Sequence, residues 1–368
     1  MTPERIPFID LRPGEDDAAV RAAIDRVIAR GWFVLGPEVE AFEAEFAAAC
    51  GARHAVGVGN GTDAIALLLR AIDVKPGDEV IVPALTAAYT GLAVLLADAT
   101  PVFADVDPGT LTLDPAACEA AITRRTVAVI PVHLYGQAAD MEAIHAIARR
   151  HSIATIEDCC QAHLATHRGR PVGTRSVGGA FSFYPTKNLG ALGDGGAVIT
   201  EDGSIAGRLR RLRNGGQSDR YLHVEAGVNS RLDDVQAAVL RARLPMLRRW
   251  TDRRRLLAAS YRRALPDATT PLEERDNGHV YHLFVVRSAE RDLMQSHLRA
   301  SGVETLIHYP VPLPQQPAFA TAGHRECPVA TEAARQILSL PLHPRLRDAD
   351  IERISSAVDA FQKGHILA

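Results

Sequence analysis

The sequence predicts an α/β fold in which a large, mostly parallel sheet is covered by helices and followed by a smaller C-terminal α+β domain. Three observations predict this class. Over the first two-thirds of the chain, short apolar runs alternate with helix-like segments. The runs are apolar almost throughout, which is typical of parallel strands buried on both faces. With 368 residues, of which 47% are hydrophobic, the chain can bury one large core and a second, smaller one.

The elements of the large domain follow from these runs in chain order. Residues 54–58 predict a strand, Gly59-Asn60-Gly61 a turn, and residues 62–69 the helix that the turn begins. The alternation continues with strands predicted at 79–83, 101–106, 127–132 and 154–157, and with helices at 91–97 and 140–151. Ligands of such sheets bind beyond the carboxyl ends of the strands, so residues that directly follow a strand are candidates for a site.

A change of pattern near Pro245 divides the chain. We expect a large domain of residues 1–245 and a small domain of residues 246–368. The small domain is predicted to contain a helix at 247–261, a strand at 280–286 and a helix at 292–301. We expect it to close over the large domain.

Composition excludes several classes of protein. A formal net charge of −3 provides no general attraction to nucleic acid or to an anionic membrane. No apolar run reaches the roughly 18 to 20 residues that span a bilayer, and residues 1–10 lack the pattern of a signal peptide. Five cysteines, an odd number, favour the reducing cytosol over a secreted disulfide framework. The sequence therefore predicts a soluble cytoplasmic protein.

Three groups at or near predicted strand ends carry chemistry. The turn at Gly61 and Thr62 presents backbone N–H groups at a helix N-terminus, which suits a phosphate, although most such turns are only structural. Asp158 ends a buried strand and is either a helix N-cap or a charge directed into a site. Lys187 lies between an apolar run and a glycine cluster, where it is either a solvated surface amine or a nucleophile.

One small molecule uses all three groups. Pyridoxal phosphate has a phosphate, a pyridine nitrogen that must stay protonated, and an aldehyde that condenses with an amine. The turn, Asp158 and Lys187 supply one partner for each of these. Their joint presence therefore favours this cofactor over three unrelated structural roles.

Four motifs in order connect the chain to a known family. They are Glu157-Asp158-Cys159-Cys160-Gln161-Ala162-His163, the stretch from Ser182 to Lys187 with its glycine cluster, residues 227–238, and Ile307-His308-Tyr309-Pro310. On these motifs, the chain from residue 32 to residue 342 resembles the DegT/DnrJ/StrS family of sugar aminotransferases. The resemblance implies the pyridoxal phosphate-binding fold type I, like that of aspartate aminotransferase, and the activity of a transaminase.

The resemblance implies a role for each matching residue. Lys187 would form the Schiff base with the cofactor and later carry the proton of the 1,3-shift. Asp158 would pair with the pyridine nitrogen, and Gln161 would bind the phenolic oxygen. The phosphate would be held by Gly61, Thr62 and Ser182, and by Asn229 of the neighbouring subunit of a homodimer.

Two positions depart from the family pattern. Ala87 stands where the family usually has an aromatic residue that stacks on the cofactor ring, and Tyr89 is the candidate to replace it. In an extended segment Tyr89 would point to the same side as Ala87, whereas in a helix it would point well away from it. Leu164 stands where glycine is common, and we expect it to reshape the pocket wall.

The motif around Gln161 also indicates a substrate class. Family members that aminate a 4-keto position commonly have His at this position, whereas Asp-x-x-Gln-Ala-His resembles the pattern of 3-keto-hexose aminotransferases. We therefore expect amino transfer from L-glutamate to a nucleotide-linked (dTDP) 3-keto-6-deoxyhexose, with a 4-keto nucleotide sugar or a keto-cyclitol as alternatives. The candidate substrate-binding residues are His163, His308 and Tyr309, and His163 is alternatively a buried histidine beside the cofactor.

The remaining motifs favour structural roles. Cys159 and Cys160 are adjacent and lack the spacing of tetrahedral zinc ligands, so no metal is predicted. The basic run at 248–255, with Arg241 and Arg243, predicts a solvated helix face or a subunit contact, or else a site for an anionic nucleotide. It is also the one feature in favour of a non-catalytic regulatory or DNA-binding protein.

Overall fold

The structure is a computed structural model that describes residues 5–320, 322 and 325–366. The strands are β1 (His54–Val58), β2 (Glu79–Pro83), β3 (Thr100–Ala104), β4 (Thr126–Val129), β5 (Ala154–Asp158), β6 (Thr166–His167), β7 (Arg170–Pro171), β8 (Gly178–Ser182), β9 (Gly196–Thr200), β10 (Gln217–Asp219), β11 (Leu222–His223), β12 (Thr270–Pro271), β13 (Phe284–Arg287) and β14 (Ile337–Leu340). The α-helices are α1 (Asp17–Arg30), α2 (Pro37–Cys50), α3 (Gly61–Ala71), α4 (Ala88–Leu96), α5 (Pro115–Ala121), α6 (Met141–His151), α7 (Gly203–Leu212), α8 (Asp234–Arg243), α9 (Leu247–Ala264), α10 (Arg291–Ala300), α11 (Pro328–Gln336) and α12 (Asp348–Ile366). Within these described ranges, no helix is both long and apolar enough to cross a membrane.

A seven-stranded sheet forms the centre of the large domain, in the order β1-β9-β8-β5-β4-β2-β3. The five strands from β8 to β3 run parallel, and β9 is antiparallel to both of its neighbours. Every residue of β2 and of β9 is buried, as expected for strands covered on both faces. The predicted α/β class with a mostly parallel sheet is confirmed.

Parallel pairing brings the chemical groups to one edge of this sheet. β5 and β8 pair in register, with Asp158 opposite Ala180, so Asp158 and Ser182 emerge at the same edge. α4 begins at Ala88, three residues before the predicted start, which places Tyr89 in the first helical turn. Other predicted ends shift by one to four residues, because a strand ends where pairing stops and not where the apolar run stops.

A three-stranded antiparallel sheet, β12-β13-β14, lies in the C-terminal part of the chain. Its core contains Tyr261 from α9, Phe284 from β13 and Val358 from α12. Ile6 belongs to the same core and forms a bridge with Val303, so the first described residues contact the C-terminal unit. The division at residue 245 stays a prediction.

The basic run lies mostly on α9, and most of its charges are paired with acids. The pairs are Arg249 with Glu15 at 2.5 Å, Arg253 with Asp348 at 2.9 Å, Arg255 with Asp252 at 3.4 Å, and, from α8, Arg241 with Glu45 at 2.7 Å. Interspersed acids reduce the positive potential that binding to a nucleic acid backbone requires. The run is therefore mainly a structural feature, with Arg254 as an exception described below.

Candidate active site

Lys187 lies in the loop that joins β8 to β9. Its backbone N–H donates to the carbonyl of Tyr184 at 2.8 Å, and the loop is closed by a bond of 2.7 Å from the Ala191 N–H to the Phe183 carbonyl. The Lys187 side chain is half-buried, so it is not an ordinary surface amine. Burial lowers the pKa of Lys187, and the nearby thiol of Cys160 and carboxylate of Asp158 oppose this shift only in part.

Asp158 ends β5 as a buried carboxylate that is 5% exposed. Its Oδ2 accepts a bond of 2.8 Å from the Thr90 hydroxyl, and its Oδ1 accepts one of 3.0 Å from the Cys160 N–H. No helix begins directly after Asp158, since the next helix is α7 at Gly203. Asp158 is therefore not a helix N-cap. Among the described residues it accepts hydrogen bonds from neutral donors only, which leaves its negative charge available to a cationic ligand group.

The turn after β1 begins α3 and forms a narrow cradle. Asn60 caps the helix by accepting from the Asp63 N–H at 2.9 Å, and the backbone N–H groups of the first turn have no partner within a helix. A Cβ on Gly61 would lie 2.7 Å from Cys160 Sγ and 2.8 Å from Ser182 Cβ. Glycine is therefore required at this close approach, and the helix N-terminus, Cys160 and Ser182 share one small space that suits a phosphate.

Gln161 connects the large domain to the His308–Tyr309 segment. Its Oε1 accepts from the Tyr135 N–H at 2.6 Å, and its Nε2 donates to the Tyr309 hydroxyl at 2.9 Å. The Tyr135 hydroxyl donates to the His308 carbonyl, and His308 Nδ1 lies 2.9 Å from Ser339 Oγ. Burial lowers the pKa of His308 to about 4 and raises that of Tyr309. Both side chains are therefore neutral at physiological pH, as polar groups that recognise hydroxyls.

His163, a candidate substrate-binding residue, is buried in the core. The side chain is 0% exposed and lies against the rings of Phe181 and Phe183, with centroid distances of 5.4 and 5.7 Å. Neither ring nitrogen has a hydrogen-bond partner among the described residues. Burial lowers its pKa to about 3. This burial favours the alternative role, a buried histidine beside the cofactor, and the substrate-binding role of His163 stays a prediction.

The candidate ring-stacking residue lies at the surface of this chain. Tyr89 is 65% exposed in the first turn of α4, and Ala87 precedes that helix as its N-cap residue. Tyr89 therefore takes the helical alternative, in which its direction differs from that of Ala87. Leu164 adopts a left-handed conformation with φ of 62°, which explains why glycine suits this position.

Asn229 lies in an exposed segment that follows the small β10–β11 hairpin. It forms a bridge with Asn214 and exposes its side chain. Its predicted reach into the site of a neighbouring subunit stays a prediction, as do the roles of Thr62 and Ser182 at the phosphate.

The sequence missed two residues that hold the site together. Thr90 orients Asp158 through its hydroxyl, and Tyr135 binds both Gln161 and His308. Neither belongs to a motif, and neither is close in sequence to its partner. The sequence feature that could have identified Thr90 is its position shortly after β2, where α4 begins at the carboxyl edge of the sheet.

One cluster among the described residues has the composition of a metal site. His133, Glu157 and Cys159 are buried with their ligand atoms within 4.8 Å of one another. His133 Nε2 lies 2.9 Å from Glu157, and this carboxylate also accepts from the Gly173 N–H at 2.7 Å and from the Ser176 hydroxyl at 2.7 Å. The polar members are thus satisfied by protein groups, and the absence of a metal stays a prediction.

Comparison with known proteins places this site in context. A family model described as the DegT/DnrJ/EryC1/StrS aminotransferase family matches residues 15–359. A dTDP-3-amino-3,4,6-trideoxy-alpha-D-glucose transaminase of Streptomyces venezuelae is 50% identical over 361 residues, which cover 96% of this chain and 95% of the relative. Among solved structures, S. venezuelae DesV in complex with a ketimine intermediate has a TM-score of 0.95 and 48% identity, over 97% of this chain and 98% of that one. NtdA from Bacillus subtilis with bound cofactor PMP has a TM-score of 0.91 and 30% identity, over 98% of this chain and 86% of that one.

Proposed function

Since the chain belongs to the DegT/DnrJ/EryC1/StrS aminotransferase family, we propose that it transfers the amino group of L-glutamate to a dTDP-linked 3-keto-6-deoxyhexose. The chain is a pyridoxal phosphate-dependent sugar aminotransferase, and the regulatory alternative is not favoured. The donor, the sugar and the position aminated are the proposed part. A relative named as a 3-amino sugar transaminase and the Gln161 motif support the 3-position.

One observation carries the proposal: a half-buried amine, Lys187, lies near a buried carboxylate, Asp158, whose only hydrogen-bond donors among the described residues are neutral. Bound pyridoxal phosphate supplies an electron sink, and its protonated ring nitrogen is the cationic group that such a carboxylate stabilises. The cradle at Gly61 suits the phosphate at the other end of the molecule, because the first turn of α3 has backbone N–H donors without helical partners and Ser182 lies beside it.

Lys187 has two tasks in this proposal. It provides the amine that bonds the cofactor, and it moves a proton between the substrate carbon and the cofactor during amino transfer. Burial lowers its pKa, so a larger fraction of the amine is neutral near physiological pH. A neutral amine is required both for nucleophilic attack and for accepting a proton.

The remaining residues position the cofactor and the sugar. We propose that Gly61, Thr62 and Ser182 bind the phosphate, and that Gln161 binds the phenolic oxygen through the Nε2 hydrogen not donated to Tyr309. We propose Tyr89 as the group that covers the ring face. The neutral side chains of His308 and Tyr309 would bind sugar hydroxyls beside Gln161.

We propose a homodimer with shared active sites. Large apolar side chains are exposed on two separate stretches of sequence, with Trp32 56%, Phe33 50%, Tyr221 78% and Leu222 57% exposed. Exposed apolar surface of this kind is typical of protein interfaces. Asn229 follows the second stretch and would bind the phosphate of the partner's site. The five cysteines are free thiols, which is compatible with the proposed cytoplasmic location.

The spectrum of the loaded enzyme tests the reaction. Glutamate should bleach the visible cofactor band, and a dTDP-linked 3-keto sugar should restore it; initial rates should follow ping-pong kinetics. Lys187→Ala should lose the band, whereas Lys75→Ala, at an exposed lysine, should keep it. A surviving band and turnover in Lys187→Ala would exclude the assignment of Lys187.

A panel of acceptors tests the substrate. dTDP-linked 3-keto and 4-keto sugars and a UDP-linked 3-keto sugar should be added to the amine form of the enzyme, with recovery of the band as the readout. The proposal expects the fastest recovery with the dTDP-linked 3-keto sugar. Faster recovery with a 4-keto sugar or a keto-cyclitol would replace the proposed acceptor and leave the aminotransferase activity in place.

Mixed dimers test the shared site. Lys187→Ala and Asn229→Asp chains are each expected to be strongly impaired, since the second places a carboxylate against a phosphate. If Lys187 and Asn229 serve one site from different chains, random mixing should restore about a quarter of wild-type activity, because half of the dimers then contain one intact site. No recovery on mixing would contradict sharing of the site.

A further inference from the structure

A cavity of about 320 Å³ lies beside Lys187 and is not part of the cofactor cradle. Its walls are residues 9–16 of the N-terminal segment, residues 185–192 of the Lys187 loop, and residues 343–345, together with side chains of α8 and α9. A group bound in this cavity would lie next to the reactive amine. The charges on its walls indicate what that group is.

Arg254 is a buried cation on the wall of this cavity, and it has no acidic partner among the described residues. It is 4% exposed, and its Nη1 donates to the carbonyls of Leu342 at 2.7 Å, Tyr281 at 3.2 Å and His282 at 3.3 Å. Its Nε has no partner, and its Nη2 makes no hydrogen bond to the residues described. Burial lowers its pKa to about 10, so it is still charged at physiological pH. A buried charge without a counter-ion is costly, and an anionic ligand would remove that cost.

The other arginines of the cavity contact protein carboxylates. Arg243 Nε donates to Asp16 at 2.8 Å, and Arg345 and Arg12 both contact Asp10 at 2.9 Å. Arg254 is thus the arginine of this cavity that contacts no carboxylate among the described residues. A carboxylate ligand would supply the counter-ion that Arg254 lacks.

A second side chain of the cavity lacks a partner. His343 is 6% exposed, and neither of its ring nitrogens has a hydrogen-bond partner among the described residues. Burial and the neighbouring Arg254 and Arg345 lower its pKa to about 4, so the ring is neutral and carries one N–H. A neutral N–H donor beside a guanidinium provides two donors for a carboxylate.

We propose that this cavity binds a carboxylate of the amino donor, held by the Arg254 guanidinium and the His343 imidazole. The inference rests on the proposed function, because it assigns a site to the donor of that reaction. In this proposal the donor and the sugar bind to different residues. Arg254 and His343 bind the acidic donor, and the His308–Tyr309 segment binds the neutral sugar.

Binding of glutarate, a dicarboxylate without the reacting amine, tests the cavity apart from turnover. Trp250 lines the cavity, so its fluorescence reports binding in the loaded enzyme, and Trp250→Phe identifies the signal. Arg254→Met and His343→Leu should each lower the affinity for glutarate at least tenfold. Arg263→Met removes an exposed arginine of the same helix and should leave glutarate binding within twofold. Unchanged glutarate affinity in Arg254→Met and His343→Leu would overturn the proposal.

Measuring the two half-reactions separately shows whether the cavity binds the amino donor or the nucleotide. It also distinguishes a failure of this inference from a failure of the proposed function. The glutamate concentration that gives half-maximal bleaching should rise at least tenfold in both variants. The rate at which the keto sugar restores the band should change less than threefold. Loss of dTDP affinity with retained glutarate binding would assign the cavity to the diphosphate and overturn the proposal. If Arg254→Met does not fold, His343→Leu and Arg254→Lys decide the same question. If glutamate does not bleach the wild-type band but glutarate still binds through Arg254, glutamate is not the donor. The cavity is then still a carboxylate-binding site.

Discussion

The Thr90 hydroxyl donates a hydrogen bond of 2.8 Å to Asp158 Oδ2, which links the first turn of α4 to the end of β5. Both side chains are buried, with Thr90 1% and Asp158 5% exposed. The bond fixes the carboxylate that we expect to face the cofactor ring. Thr90 is therefore a positioning residue that acts through Asp158.

We predict that Thr90→Val weakens cofactor binding while Thr90→Ser preserves it. Losing one hydrogen bond to a buried carboxylate costs about 1–2 kcal/mol, or roughly a 5- to 30-fold loss of affinity. Titrating the apoenzyme with pyridoxal phosphate and following the visible band measures this affinity. Equal weakening in both variants would show that the hydroxyl is not what matters at this position.

We predict opposite effects for alanine at two helical glycines. Gly61→Ala places a Cβ within 2.8 Å of Cys160 and Ser182, and such overpacking costs about 1–3 kcal/mol. Gly207 lies inside α7 with nothing within 4 Å of a built Cβ, so Gly207→Ala should stabilise by about 0.5–1 kcal/mol. Thermal unfolding of the apoenzyme measures both changes. Gly61→Ala should in addition lose cofactor affinity, and equal affinity in the two variants would argue against the cradle.

We predict that His163→Leu reduces the sensitivity of the fold to acid. The folded-state pKa of about 3 lies below the usual 6.5, so between these values the unfolded chain binds a proton that the folded chain does not. Stability therefore falls as pH decreases through this window, with a slope of at most about 1.4 kcal/mol per pH unit for one group. Leucine removes this contribution and the two buried nitrogens without partners.

Denaturant unfolding between pH 7 and pH 4 measures the effect of His163→Leu as a difference in slope from wild type. Other buried histidines contribute equally to both proteins, so only the difference reports on His163. Parallel pH profiles would contradict this prediction, and a large rise in the KM for the sugar would favour the substrate-binding role of His163.

We predict that Tyr89→Ala lowers the affinity for the cofactor and that Tyr89→Phe does not. Aromatic stacking contributes about 0.5–1.5 kcal/mol, so the affinity should fall roughly 2- to 12-fold in the alanine variant only. Apoenzyme titration and the induced circular dichroism of the visible band give the measurement. If both variants bind as wild type does, another residue covers the ring.

Much of the fold and part of the site could be predicted from the sequence. The apolar runs indicated β1 to β5 because burial on both faces of a parallel sheet leaves a local pattern. The order of Gly61, Asp158 and Lys187 indicated pyridoxal phosphate because each satisfies one group of the cofactor, and the family and its cofactor are confirmed. The strand predicted at 280–286 was observed only from Phe284, because apolar composition does not show where a neighbouring strand ends.

The sequence by itself determined the class of sheet and the cofactor, and it predicted the residues that bind that cofactor, since these follow from local patterns and from functional groups. Only the tertiary structure decided which of those groups have partners. It placed the Thr90 hydroxyl on Asp158, buried His163 against two aromatic rings, and left Arg254 beside a cavity with no carboxylate partner among the described residues. Burial and hydrogen bonding depend on what packs from distant parts of the chain, and a local pattern does not contain that information.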